Sequence, residues 1–193
     1  MNHQPLFSLT TSGASKPTAR WEGLRYAGVA ASREIARRDL AQIIPLKGRL
    51  DAAAAAHDLP PALLAALASR ESHVGALLLR GWGDGGQAYG ILQIDRRYHE
   101  VDTTASPDSE QHIQQAAGIL ASNLATMLVQ HPAWSPEWAL RGAVAAYNSG
   151  ASNVKTQHRM DVGTTHGDYS ADVWERAKFY ATAVWGEHDE GTP

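Results

Sequence analysis

The chain has 193 residues, of which 44% are hydrophobic, so it can fill one buried core and is short for two independent domains. Lys and Arg number 17 against 20 Asp and Glu; the formal net charge of -3 argues against a general nucleic-acid binder with a basic face. Cysteine is absent, which excludes disulfides, thiolate nucleophiles and Cys-ligated metal centres.

The two ends of the chain show little patterning. We expect residues 1–193 to form one domain, with loose ends over 1–10 and 186–193. Residues 1–15 lack a basic start followed by a long apolar stretch, so we expect no secretory signal there, and the export route stays open. No run approaches the roughly 20 apolar residues that a membrane span needs.

Helical spacing dominates the first half of the chain. An apolar face over residues 29–43 predicts one helix, which Pro45 should end or kink, and a second helical segment follows over 46–57. The next helix begins at Pro61, in the favoured first-turn position. We expect Gly75 to end this helix in a left-handed conformation.

The second half adds one strand-like stretch and more helices. Residues 88–95, AYGILQID, resemble a strand beside a glycine cluster. Apolar spacing predicts an amphipathic helix over 113–127, Ser135 followed by Pro136 is a typical helix start, and Asp168 is a candidate N-cap for a last helix. The predicted fold is therefore mainly α, of the α+β kind, with one small β element.

Glu71 is the most informative position for chemistry. It follows Leu63 and Leu67 at intervals of four, which puts its carboxyl on the apolar stripe of a helix. It also lies in the last turn, where the helix dipole disfavours negative charge. Both effects raise a carboxyl pKa, as a general acid active near neutral pH requires. The alternative is a glutamate at the rim of the stripe, in water.

The stretch GWGDGGQAYGILQID supplies two more carboxylates. Its glycines permit close approach of a ligand to the backbone, and Asp84 lies among them. If residues 88–95 form one strand, alternation brings Gln93 and Asp95 to the same face. Glu71, Asp84 and Asp95 would then border one cleft. Alternatively, Asp84 caps a turn and Asp95 starts a helix.

Nucleotide and metal motifs are not supported. Residues 81–86 match GxGxxG, but a helix precedes them and a strand follows, the reverse of a dinucleotide-binding unit. The histidines form no HExxH and no close pair at metal-ligand spacing, so we expect no metal and no cofactor. His73 and His99 fit positions in or just behind a cleft, or ordinary surface positions.

A phenol and an amide are adjacent in the segment AAYNSG. Tyr147 ends the inward stripe of the helix that starts at Ser135, and Asn148 follows it. Aromatic and amide groups bind sugars by combining apolar contact with directed hydrogen bonds. The alternative is a buried tyrosine at a capped helix end.

Together these segments resemble the goose-type lysozyme family, which is related to the soluble lytic transglycosylases. The resemblance runs from TTSGAS through EGLRYAGVAAS, SRESHVG, GWGDGG, YGILQIDRRYH and AAYNSGASNV to RMDVGTTHGDYSADVWERAKFY. It implies a lysozyme-like fold and cleavage of the β-1,4 bond between N-acetylmuramic acid and N-acetylglucosamine in peptidoglycan. Chitin oligosaccharides are the expected substrate analogues.

The resemblance also implies roles for individual residues. Glu71 would protonate the leaving oxygen, with inversion at the anomeric carbon. Asp84 and Asp95, unranked, would hold the attacking water, and inverting carboxyl pairs lie roughly 6.5–9.5 Å apart. The residues expected to shape the sugar subsites are Gln93, His99, Tyr147 and Asn148.

Two other activities stay open at this point. A lytic transglycosylase would use the same glutamate but form an anhydromuramyl end, and a glycan-binding module would have lost turnover. The two aspartates favour hydrolysis, because transglycosylation needs no carboxylate to activate water.

The chain departs from better-known relatives in lacking cysteine and in being acidic. We expect a monomer acting on the cell wall in an extracellular or periplasmic setting, with only modest salt dependence of lysis. A protein inhibitor or immunity partner fits several of the settings in which such an enzyme works.

Overall fold

The computed structural model describes residues 3–188, which are mainly helical with one small sheet at the side of a cleft. The helices are α1 Gln4–Phe7, α2 Lys16–Trp21, α3 Val29–Ile43, α4 Lys47–Ala56, α5 Pro61–Ser72, α6 Glu110–Gln130, α7 Pro136–Ser149 and α8 Tyr169–Trp185. The strands β1 Trp82–Gly83, β2 Ala88–Tyr89 and β3 Ile94–Asp95 pair antiparallel in that order. The prediction of a mainly α fold with a small β element is confirmed.

Helix α5 is the centre of the hydrophobic core. Every residue from Pro61 to Ser69 is buried, as is Ser72, because the helix is apolar on all sides. It packs against α8, α4 and α3, while α6 and α7 pack on each other and join this group through α4 and α8. The last turn of α5 is therefore held in place from several directions.

Local signals in the sequence set most helix boundaries. The Ser135 hydroxyl accepts a hydrogen bond from the backbone N–H of Trp138, and the Ser109 hydroxyl accepts one from that of His112, which caps α7 and α6. Pro45 lies in a short 3-10 turn that separates α3 from α4, as its fixed φ and missing N–H predict.

The end of α5 differs from the prediction. The helix stops at Ser72, and the left-handed conformation begins at His73 and continues through Val74 and Gly75, with φ of 48°, 56° and 97°. The His73 ring is fixed by Asp39, whose carboxylate lies 3.0 Å from Nδ1. Gly75 was therefore the wrong stop: side-chain contacts impose the left-handed conformation two residues earlier.

Asp168 precedes α8 as predicted but does not cap it with its side chain. Its carboxylate instead binds the backbone N–H of Ser15 and the guanidinium of Arg70. Asp161 caps the start of α8: its carboxylate accepts a hydrogen bond of 2.7 Å from the backbone N–H of Ser170.

Residues 88–95 do not form one strand, so that prediction was wrong. β2 ends at Tyr89, the chain turns over residues 90–93, and β3 begins at Ile94. Positive φ values of 76° at Gly90 and 48° at Gln93 produce this reversal. A side chain at Gly90 would overlap the ring of His112, which belongs to α6, so the turn packs directly against that helix.

The chain ends are only partly described. The expected loose end over residues 1–10 contains α1, and the buried Leu6 accepts a hydrogen bond of 2.9 Å at its carbonyl from the Trp174 indole. Of the other expected loose end, residues 186–188 follow α8, and 189–193 lie outside the described residues. Between residues 3 and 188, no helix has both the length and the apolar character to span a membrane.

Candidate active site

A cleft of about 960 Å³ opens between the sheet, α6 and the C-terminal end of α7. The predicted site residues that line it are Glu71, Asp84, Gln93, Asp95, His99, Tyr147 and Asn148. His73 does not line it, because its ring turns away toward Asp39 and Glu22. The fold thus brings together three carboxylates and the residues that we expected to contact sugar.

Glu71 projects into the cleft from the last turn of α5. Burial raises the pKa of its carboxyl to about 7, although a hydrogen bond from Tyr169 and the charge of Arg70 both act to lower it. The Tyr169 hydroxyl donates that hydrogen bond to Glu71 Oε1. A large share of Glu71 is therefore protonated near neutral pH, as predicted from its place on the apolar stripe.

Two tyrosines beside Glu71 are neutral hydrogen-bond donors. Burial raises the pKa of both phenols well above the usual value, with the charge of Glu71 adding to the effect. The Tyr147 hydroxyl donates to the carbonyl of Leu92 at 2.8 Å, which ties α7 to the turn between β2 and β3. The sequence analysis missed Tyr169; its one signal was its place in the final segment shared with the goose-type family.

A buried network of ion pairs supports Glu71 from behind. The Arg70 guanidinium lies over the Tyr169 ring, 5.5 Å from its centroid, and its Nη2 contacts Asp168 Oδ1 at 3.0 Å. Asp172 accepts hydrogen bonds from Arg70 and from Arg176. Burial opposes the ionisation of Asp172, yet the charges of Arg176 and Arg70 lower its pKa. This network fixes α5 against α8 directly beneath the catalytic candidate.

Asp84 and Asp95 share one arginine that the sequence analysis also missed. Arg97 Nη2 lies 3.1 Å from Asp84 Oδ2, and Arg97 Nε lies 2.9 Å from Asp95 Oδ1. The backbone N–H of Arg97 also donates to Asp95 Oδ1 at 2.8 Å. Hydrogen bonding by Arg97 lowers the pKa of Asp95, which stays ionised. A basic residue two positions after Asp95 was the available signal.

Local contacts orient the amides at the cleft. Gln93 Nε2 donates to the carbonyl of Gly90 at 2.8 Å, and the side chain packs so closely on Gly83 that any Cβ there would overlap it. Asn148 Oδ1 accepts a hydrogen bond of 2.9 Å from the N–H of Thr165, which also lines the cleft. Both amides are thus held in fixed orientations at the wall.

No grouping of three or more His, Asp or Glu side chains suited to a metal ion occurs within residues 3–188. The chemistry that this part of the chain supports is proton transfer by a neutral carboxyl, flanked by two carboxylates and by polar groups that can bind a sugar.

Comparison with known proteins supports the resemblance to goose-type lysozymes seen in the sequence. The family model described as Lysozyme g matches residues 5–183. Lysozyme g of Gallus gallus is 42% identical over 172 residues, covering 89% of this chain and 81% of the relative. Lysozyme g of Struthio camelus is 42% identical over 88% of this chain and 82% of the relative, and that of Cyprinus carpio is 39% identical over 89% and 92%. The chain belongs to the lysozyme g family of peptidoglycan-cleaving glycoside hydrolases.

Proposed function

We propose that Glu71 is the general acid with which this muramidase cleaves the β-1,4 bond between N-acetylmuramic acid and N-acetylglucosamine. The observation that carries the proposal is a carboxyl that faces the cleft with a pKa raised to about 7 by burial. Such a group is protonated often enough near neutral pH to donate to the leaving oxygen as the glycosidic bond breaks.

Tyr169 positions this acid. Its hydroxyl donates to Glu71 Oε1, so Oε2 is the oxygen left to carry the proton toward the substrate. When the proton leaves, Glu71 becomes an anion, and hydrogen bonds to an ionised acceptor are stronger than those to a neutral one. Tyr169, together with the charge of Arg70 behind it, therefore stabilises the carboxylate that the reaction generates.

Asp84 is the candidate base that activates the attacking water. Arg97 engages Asp95 through its backbone N–H, Nε and Nη2, whereas Asp84 accepts one hydrogen bond from Arg97 and its side chain is 62% exposed. Water therefore reaches Asp84 more readily. In this scheme Asp95 holds Arg97 in place, Arg97 orients Asp84, and the reaction inverts the anomeric carbon.

Product analysis on purified peptidoglycan tests the role of Glu71. Wild type should release fragments with ordinary reducing muramic acid ends, and Glu71→Gln should lose at least about a hundredfold in turnover, since one general acid contributes that much or more. Calorimetry with a chitin oligosaccharide should show that Glu71→Gln still binds glycan. Anhydromuramyl ends as the main product would instead assign the chain to the transglycosylases, and a fully active Glu71→Gln would remove the acid from the mechanism.

A second experiment distinguishes the roles of Asp84 and Asp95. Asp84→Asn and Asp95→Asn should both slow hydrolysis strongly, and only Asp95→Asn should also loosen Arg97. In crystals of Asp95→Asn, we expect the Arg97 side chain to move away from Asp84. Equal activity of both variants and the wild type contradicts a role of the two aspartates in the reaction.

We also propose that the protein is a monomer, which size-exclusion chromatography tests.

A further inference from the structure

An exposed aromatic pair, Trp21 and His166, lies beside Thr165, a residue of the cleft wall. Trp21 is the last residue of α2, and 76% of its surface is exposed. Its ring centroid lies 6.5 Å from that of His166, at an angle of 53°. His166 directly follows Thr165, which lines the cleft. The pair is therefore connected to the cleft wall through Thr165, the residue before His166.

The turn that carries His166 is fastened to α2. Thr18 Oγ1 lies 3.1 Å from His166 Nδ1, and the Ser15 hydroxyl donates to the carbonyl of His166 at 3.3 Å. Arg70 donates to the carbonyl of Thr165 at 3.2 Å, so the ion-pair network beneath Glu71 anchors the same turn. These contacts hold α2, and with it Trp21, against the turn that contributes Thr165 to the cleft.

Trp21 is not needed to bury this part of the fold. The residues of α2 that face the interior are Thr18 and Ala19, and the small apolar cluster there is formed by Ala14, Ala19 and Ala31 with Leu24 and Ala27 packed against it. A large flat ring left mostly in water beside a binding groove is suited to contact a ligand rather than the core.

We propose that Trp21, backed by His166, forms an additional sugar subsite that takes an N-acetylhexosamine ring of the glycan strand beyond the sugars next to the scissile bond. This inference rests on the proposed function. A pyranose ring presents a face of C–H groups that packs on an indole, and its hydroxyl and amide groups stay free to bond with water or His166. The substrate is a polymer, so further rings are available at the end of the cleft.

Oligosaccharide length is the variable that tests this subsite. Binding of a chitin trisaccharide and of a longer hexasaccharide is measured by calorimetry in the Glu71→Gln background, where cleavage is expected to be at least about a hundredfold slower. Trp21→Ala should weaken binding of the hexasaccharide by about three- to tenfold, the usual range for one aromatic contact, and leave the trisaccharide unchanged. Trp21→Phe should recover most of the loss.

Leu79→Ala is the matched control, because Leu79 is as exposed as Trp21, at 78%, and pairs with Trp82 rather than with the turn at His166. It should bind both oligosaccharides like its parent. In ¹H–¹⁵N spectra the indole signal of Trp21, assigned through Trp21→Phe, should move with the hexasaccharide alone.

Three outcomes overturn the subsite. Unchanged hexasaccharide binding by Trp21→Ala shows that the ring contacts no sugar, and an equal loss for both lengths shows that it acts on the cleft itself. An effect limited to peptidoglycan that carries stem peptides assigns the surface to peptide. Failure of the proposed function is seen elsewhere, as Glu71→Gln that still digests peptidoglycan, so the two failures are distinguishable.

Discussion

The charge state of Glu71 couples its surroundings to catalysis. Burial raises the pKa to about 7, and the hydrogen bond from Tyr169 partly offsets this. The acid is active when protonated, so kcat/KM should fall as pH rises through about 7.

In Tyr169→Phe the carboxylate of Glu71 loses a hydrogen-bond donor and becomes less stable. The alkaline limb of the pH–rate profile should therefore move to higher pH while kcat falls. Rates on peptidoglycan across pH measure both effects, and an unshifted limb contradicts the positioning role.

The same group affects stability with a definite sign. The folded pKa of Glu71, about 7, exceeds the ordinary value of 4.5, so the folded state holds the proton more tightly between these values. The stabilisation is present below pH 4.5 and is lost as pH rises through about 7. Glu71→Gln should therefore be more stable than wild type at pH 8, by about 2 kcal/mol after allowance for partial exposure, and similar at pH 4. Urea unfolding at the two pH values measures this difference.

Among single residues, the sequence predicted those whose role follows from their near neighbours along the chain. Glu71 was predicted from its spacing to Leu67, and its raised pKa follows from that position. Tyr169 was missed because it lies 98 residues from Glu71 along the chain, and only packing of α8 on α5 joins them. Arg97 was missed because the sequence does not show that one guanidinium reaches both aspartates.

Among the elements, the turn between β2 and β3 depends on close packing. Gly90 has a φ of 76°, and a Cβ there would overlap His112, so Gly90→Ala should destabilise the fold by about 2 to 3 kcal/mol and displace Gln93. Gly85→Ala is the control, because Gly85 also has a positive φ, of 61°, but no atom lies within 4 Å of its Cβ position. Thermal unfolding measures the stability of both variants. An equal loss of stability would show that the effect comes from backbone strain alone and not from the contact with His112.

The same turn shows where prediction of the elements failed. Helix starts such as Ser135 and breaks such as Pro45 were correct because one or two residues determine them. The stretch 88–95 has the composition of a strand, but positive φ at Gly90 and Gln93 reverses the chain there, and the ring of His112 packs against Gly90. Gln93 also has a positive φ, of 48°, and its side chain donates a hydrogen bond of 2.8 Å to the carbonyl of Gly90.

For the molecule as a whole, the charge balance bears on how it meets its substrate. A net charge of -3 gives little long-range attraction to an anionic wall. We expect the rate of wall lysis to change by less than about threefold between low and physiological ionic strength, since screening has little attraction to remove. Turbidity assays at constant pH measure this, and a steep fall with salt would contradict it.

The family and the mainly α architecture were predictable because motifs along most of the chain carry them. The surface at Trp21 was not, since its relation to the cleft depends on the turn at His166, far away in sequence. The packing of residues 3–10 was also not visible from their composition.

The burial of α5 has a consequence for how the enzyme is inactivated. Amide protons in a helix enclosed on all sides exchange with solvent only when the whole molecule opens. Because Glu71 is attached to that helix and not to a mobile loop, heat should abolish lytic activity and release the α5 amides at the same temperature.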